Sequence, residues 1–264
     1  HSIKAWLEVF KKMDAKIKDE KEPDFIVQEL GTDHPGEIAH FGTYLNPDLA
    51  VVTAITPEHM ENFRDINAVA NEELDVTDYS ERVLINIDDT SPAFLQDSFF
   101  SYGLDPKADY SFEVLEKTPL KGYLGRFKTR ELGAIEVKTQ VSSEQQLKSA
   151  VAAAAVLAKF DATESQIFEA FSSFKPVSGR MQILEGKNGT TLIDDTYNSS
   201  PAAAEAALKT LYDVKASERI AVLGSMNELG ETSEEEHVKL GEFCDKKKLD
   251  LVVTIGEEAK KYLA

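Results

Sequence analysis

Four groups of residues in this 264-residue chain combine side-chain types that bind or transform ligands. The densest is Asp194-Asp195-Thr196-Tyr197-Asn198-Ser199-Ser200-Pro201, which follows the apolar pair Leu192-Ile193. Two acids, an aromatic ring, an amide and two hydroxyls thus fall at one strand-to-helix turn, with proline at the first helical position. A bare capping loop needs only one of these groups. Glu29 and His59 form the second group, a carboxylate and a neutral imidazole each just past an apolar stretch. They suit a shared divalent ion, and a hard ion that keeps waters suits magnesium. His34 competes for that role, and the plainer alternative is that Glu29 caps a turn and His59 caps a helix starting at Met60. The third group is Asn86-Ile87-Asp88-Asp89. The fourth, Gly186-Lys187-Asn188-Gly189-Thr190-Thr191, has the residue types of a phosphate loop in the wrong order. Asn-Gly between two apolar runs predicts a β-hairpin there, because a phosphate loop opens a helix and this one opens a strand.

The elements that must position these groups alternate between strand and helix character, the pattern of an α/β protein with a mainly parallel sheet. Residues 1–18 read as an amphipathic helix. Strands are expected over Phe25–Leu30, Leu49–Ile55 and Val83–Ile87, with a helix over Met60–Leu74. Each strand runs into a polar cluster (29–34, 56–59 and 86–89), and ligands of open parallel sheets bind beyond such strand ends. Residues 98–141 read as short antiparallel strands, followed by helices over Ala150–Lys159 and Glu164–Phe174. Lys175-Pro176-Val177-Ser178-Gly179 reads as a linker. The rhythm then resumes with strands at Met181–Leu184, Thr191–Ile193, Arg219–Leu223 and Leu251–Ile255, and helices at Pro201–Leu211 and Ser233–Lys246. The acidic stretch Glu231–Glu236 complements the start of the last helix.

Composition narrows the function. The chain carries 47 Asp and Glu against 29 Lys and Arg, a net charge of -18, and lacks the basic face that nucleic acid requires. Its hydrophobic fraction of 42% suffices for a proper core, which excludes intrinsic disorder. The longest apolar run, Ala150–Ala158, is far shorter than the roughly 20 residues that cross a bilayer. One cysteine, Cys244, permits no internal disulfide and reads as ordinary helix packing; with no zinc-type Cys/His spacing, a reducing cytoplasm is the expected compartment. The chain starts at His1 without methionine, and the beginning of the gene product is expected to lie outside it.

Taken together, the motifs resemble those of the Mur ligases, in particular the MurF type that adds D-alanyl-D-alanine to UDP-N-acetylmuramoyl-tripeptide. The matching stretches are Glu29-Leu30-Gly31, His34-Pro35-Gly36-Glu37-Ile38, Glu58-His59-Met60-Glu61-Asn62-Phe63 and Asn86-Ile87-Asp88-Asp89. They continue with Ser178-Gly179-Arg180-Met181, Asp194-Asp195-Thr196-Tyr197-Asn198 and Leu223-Gly224-Ser225-Met226-Asn227-Glu228-Leu229-Gly230 with His237. The resemblance implies a mainly parallel ATP-binding central domain over residues 1–178, without its phosphate loop. It further implies an incomplete Rossmann-like C-terminal domain over 179–264. The implied reaction uses ATP and magnesium to form an acyl phosphate on the tripeptide carboxylate, which the dipeptide amine attacks. Glu29 and His59 match the magnesium ligands, Asn86 the adenine-side asparagine, and Arg180 the arginine reaching the phosphates. Asp195, Tyr197 and Asn198 match residues that close over the nucleotide. Ser225, Met226, Asn227 and Glu228 fall where the dipeptide binds. The implied partners are small molecules, with no nucleic acid and no membrane insertion, for a cytoplasmic monomer.

Four departures qualify the match, one of them Ser225 where the family has the aspartate of Leu-Gly-Asp-Met. The phosphate loop is absent from the sequence, so this part alone is expected to be inactive and to bind ATP weakly. Glu144-Gln145-Gln146 stands where the family has Gly-x-His-Asn. Asn71-Glu72-Glu73 stands where it has a carbamylated lysine, and by count Glu73 takes over as a metal and catalytic carboxylate, alongside His59 and Arg180. The alternative for Glu72 and Glu73 is a solvated helix face. Two further readings follow: a degenerate Mur-like protein that binds without ligating, and another ligase of the Mur or folylpolyglutamate type.

Overall fold

The structure, a computed structural model, describes residues 3–18, 23–57 and 60–263, which fall into two units, 1–31 and 32–264. In the first, apolar residues at helical spacing form α1 (Ile3–Ile17), with the rings of Trp6 and Phe10 5.9 Å apart. The strand expected over Phe25–Leu30 does not form, and Phe25, Ile26 and Val27 are 66%, 80% and 95% exposed. A strand needs a neighbour to complete its ladder, and the described residues of this unit supply none.

The second unit is built on a six-stranded sheet whose spatial order follows the chain. β1 (Ala50–Val52), β2 (Val83–Asn86), β3 (Phe100–Gly103) and β4 (Tyr110–Thr118) run parallel. β5 (Gly122–Thr129) and β6 (Gly133–Thr139) continue it antiparallel. All four residues of β2 are buried, which explains its unbroken apolar run Val83-Leu84-Ile85. α2 (Glu37–Phe41) precedes β1, and α3 (Ile66–Leu74) lies between β1 and β2. α3 starts six residues later than the expected Met60. Asp65 is extended (φ -159°, ψ 173°), and its carboxylate accepts the Ala68 N–H, making it the N-cap.

α4 (Glu144–Lys159) and α5 (Glu164–Ser173) close the core of the sheet. Ala150, Ala154, Ala155 and Ala158 add little bulk to one side of α4, so the helix lies close against Tyr110, Phe112, Phe127 and Ile135. Phe171 of α5 fills the remaining space, its ring centroid 5.7 Å from that of Phe112 and 5.3 Å from that of Phe127.

Beyond residue 178, β7 (Gln182–Glu185) and β8 (Thr191–Asp194) form the expected hairpin, with Asn188 and Gly189 both left-handed (φ 57° and 77°). α6 (Pro201–Asp213), β9 (Ile220–Gly224), α7 (Ser233–Phe243) and β10 (Leu251–Ile255) follow, with β9 and β10 paired parallel. Leu208, Ala221, Met226, Leu240 and Tyr262 are buried in their core. Two hydrogen bonds join this region to the start of α4: Gln146 Nε2 donates to the Arg180 carbonyl at 2.8 Å and Ser142 Oγ to the Met181 carbonyl at 3.1 Å.

Candidate active site

The ends of β1 and β2 are tied together by their own polar groups. Asn86 is 2% exposed; its Nδ2 donates to the Thr53 carbonyl and to Asp89 Oδ2, both at 2.8 Å, and its Oδ1 accepts the Asp88 N–H at 2.9 Å. Both amide donors are therefore used within the protein, tying β1 to β2, while Oδ1 keeps a lone pair for a further donor. Asp88 accepts the N–H groups of Leu104 and Asp105 at 2.6 and 3.0 Å, fixing the β3–β4 connection. Lys148, reaching down from α4, places its Nζ 2.7 Å from Asp89 Oδ1.

On α3 the two neighbouring glutamates do different things. Glu72 is 4% exposed and accepts from Thr32 Oγ1 at 3.0 Å, Gly36 N–H at 2.5 Å and Ile38 N–H at 2.8 Å. It clamps the 32–38 loop, so the expectation of a solvated face fails for Glu72. Glu73 is half-buried and, with Thr32, Thr56, Phe63 and Val69, lines a small pocket beyond the end of β1. Two of the three strand-end clusters, at 32 and 56, thus meet there.

Around Gly179 the structure brings Arg180, Asp195 and Tyr197 together. Gly179 is buried and left-handed (φ 72°), and a Cβ on it would lie 3.2 Å from the Tyr197 nitrogen, whose N–H donates to the Gly179 carbonyl. The exposed Arg180 guanidinium stacks 4.2 Å from the Tyr197 ring centroid, and that ring is itself 71% exposed. Asp195 Oδ1 accepts the Met181 N–H at 2.9 Å. Burial pushes the Asp195 carboxyl above the ordinary aspartate value and Asp194 adds to this, while the Met181 N–H and Arg180 oppose it. Asn198 is exposed, and its side-chain oxygen accepts the Ser199 N–H.

The 225–230 loop is anchored from below. Met226 is 1% exposed and buried in the core, which removes its side chain from the expected dipeptide-binding set. Leu229 is the second anchor, while Asn227 and Glu228 between them face outward. The Ser225 hydroxyl accepts the Ala259 N–H at 3.2 Å.

Of the expected magnesium ligands, His59 lies outside the described residues. Glu29 is exposed and belongs to the first unit. Among the described residues no three His, Cys, Asp or Glu side chains gather to hold a metal. Glu72, Glu73 and the hydroxyls of Thr32 and Thr56 are side-chain oxygen donors lining the strand-end pocket, the donor chemistry that a hard divalent cation takes. Sequence reasoning missed Glu72 and Lys148 as organising residues. A lysine within an alanine-rich helix was the available signal for Lys148, since its charge needs a partner on that face.

Comparison with known proteins follows the same division of the chain. A Mur ligase middle domain model matches residues 8–157 and a Mur ligase glutamate ligase domain model matches residues 179–264. The chain belongs to the Mur ligases. It is 26% identical over 272 residues to the UDP-N-acetylmuramoyl-tripeptide–D-alanyl-D-alanine ligase of Mycobacterium leprae, covering 91% of this chain and 52% of that protein. The MurF ligase of Thermotoga maritima, solved in complex with ADP, superposes with a TM-score of 0.80 at 25% identity, over 92% of this chain and 57% of that one. MurF of Acinetobacter baumannii shares the fold at a TM-score of 0.81 and 22% identity, over 90% and 53%. The chain spans about half the length of the curated relatives it matches. Among the described residues no helix is long and apolar enough to cross a membrane.

Proposed function

We propose that this chain is the nucleotide-handling and dipeptide-binding part of a cytoplasmic, monomeric ligase. The enzyme joins D-alanyl-D-alanine to UDP-N-acetylmuramoyl-tripeptide at the expense of ATP, in peptidoglycan precursor synthesis. The observation that carries this reading is the order of the matches: two domain models of one ligase family fit successive stretches, and Arg180, Asp195 and Tyr197 come together near the start of the second. On this reading residues 1–178 are the ATP-binding central domain and 179–264 the first part of the C-terminal domain.

The chemistry is phosphoryl transfer followed by acyl transfer. A tripeptide carboxylate oxygen takes the γ-phosphoryl group of ATP, ADP leaves, and the dipeptide amine then attacks the acyl carbon and expels phosphate. Positioning and charge neutralisation supply the catalysis. Arg180, unstacking from Tyr197, presents its guanidinium to the phosphates, while Asp195 holds the Met181 turn from which Arg180 projects. Tyr197 and Asn198 lie over the nucleotide, and closure about Lys175–Gly179 excludes the water that would hydrolyse the acyl phosphate. Asn86 stands on the adenine side and also holds Asp89 and the β1 end. Glu29, His59 and Glu73 would hold magnesium, which offsets the charge moving between the phosphates and the carboxylate. Ser225, Asn227 and Glu228 line the dipeptide subsite.

The test is ADP release by the complete protein, which should require precursor and dipeptide together. Equal release without the dipeptide would contradict ligation. Binding of both without turnover would favour the second reading, a Mur-like protein that binds without ligating, for which Asn71-Glu72-Glu73 in place of a carbamylatable lysine is the specific observation. Activity independent of bicarbonate would confirm that Glu73 serves in the lysine's place.

A further inference from the structure

One fully buried ionisable side chain has no part in the scheme above. His237, on the first turns of α7, has no exposed surface and is held at both ring nitrogens by backbone. The Met226 N–H can only donate, so Nε2, 3.0 Å away, accepts. The ring proton therefore sits on Nδ1 and is donated to the Ser233 carbonyl at 2.6 Å. The Tyr262 ring backs the imidazole at 4.9 Å between centroids, and the Tyr262 hydroxyl donates to the Gly224 carbonyl at 2.8 Å, bracing the other end of the same loop.

What this arrangement holds is the stretch between the buried anchors Met226 and Leu229. Asn227 and Glu228 lie between them, Glu228 in a left-handed conformation (φ 63°) that turns the backbone sharply. Gly230 follows, also left-handed (φ 54°), so close to the segment after β1 that a Cβ on it would lie 3.3 Å from Glu61 Cα. The loop thus reaches from the 179–264 region to the segment around Glu61, near the strand-end pocket, and its first residues are anchored at the Met226 N–H.

We propose that His237 is a positioning residue that fixes the Met226–Gly230 loop through the Met226 N–H and thereby sets the affinity for the incoming amine, a short peptide with a free ammonium group and a terminal carboxylate. The inference rests on the ligase reading and adds to it a specificity-determining residue that touches no substrate. Its prediction is selective: loosening the loop weakens the amine subsite and leaves the nucleotide subsite as it was.

The experiment compares wild type with His237→Phe in the complete ligase, measuring KM for dipeptide and for ATP separately. Phenylalanine keeps a planar aromatic ring, somewhat larger than the imidazole, and removes both hydrogen bonds. The expected result is a rise of about tenfold in the dipeptide KM, with the ATP KM within about twofold of wild type. Should that protein fail to fold, His237→Asn, whose shorter amide reaches the Ser233 carbonyl but not the Met226 N–H, carries the test with the same expected rise of about tenfold. An unchanged dipeptide KM in a folded variant, or an equal rise in both constants, would overturn the proposal. Absence of ligation in the wild type would instead overturn the ligase reading itself.

Discussion

The polar groups beyond β1 and β2 and those around Gly179 have similar composition and opposite physical character. At the strand ends, Asn86, Asp88, Asp89, Lys148 and Glu72 are buried or nearly so, and they bind one another or nearby backbone. Around Gly179, Arg180, Tyr197 and Asn198 are exposed; the Arg180 and Tyr197 side chains share a cation–π stack, and the Asn198 side chain bonds the next residue's N–H. The first set is built so that removing one member strands another in a low-dielectric setting. The second is free to exchange its contacts for a ligand. Chemistry-bearing residue types therefore do not by themselves mark the reacting groups; in this molecule, buried satisfaction marks scaffold and loosely held exposure marks the candidate ligand contacts.

Substitutions should separate the two sets. The largest effect on stability is expected for Glu72→Ala, at about 3 kcal/mol, because it leaves the Gly36 and Ile38 N–H groups without their acceptor. Glu73→Gln, one residue along, should lower the denaturation midpoint less than Glu72→Ala does, while lowering magnesium-dependent activity of the complete protein. Equal midpoints for the two variants in chemical denaturation would erase the distinction. Lys148→Met should cost about 2 kcal/mol, less than a fully buried pair because water reaches both partners, and the same titration measures it.

Arg180→Ala should move stability by less than about 0.5 kcal/mol while lowering ligation by about 100-fold, since an exposed stacked cation adds little to the fold. A large stability loss would move Arg180 into the scaffold set. The smallest effect concerns pH. Because the folded Asp195 carboxyl sits above its ordinary value, the native state holds that proton more tightly than the unfolded chain. Its contribution favours the fold at low pH and is lost as pH rises through the window from about 4 upward. Asp195→Asn should flatten that part of a stability-versus-pH curve, and an unchanged slope would refute the assignment.

Much of this was legible in the sequence, where the signals were local. The α/β rhythm, the Gly186–Thr191 hairpin and the helix beginning at Pro201 follow from periodicity, turn chemistry and capping over a few residues. The errors share a different cause. Glu72 finds its partners 34 to 40 residues upstream, and nothing within its own helix predicts that clamp. Phe25–Leu30 has strand composition but no ladder partner within its unit. Met226 stands inside a recognisable motif, yet its side chain turns inward while Asn227 and Glu228 beside it face out. Motif position located those turns without giving the direction of each side chain.

The central claim, activation of a carboxylate by ATP followed by amide formation, is tested most directly by following an oxygen atom. The complete protein is supplied with ATP, D-alanyl-D-alanine and UDP-N-acetylmuramoyl-tripeptide carrying oxygen-18 in its reacting carboxylate, and the released phosphate is analysed by mass. The account predicts one labelled oxygen in the phosphate for each amide bond formed, because the acyl phosphate breaks at the acyl carbon. Amide formation with unlabelled phosphate, or phosphate release without amide, would contradict it.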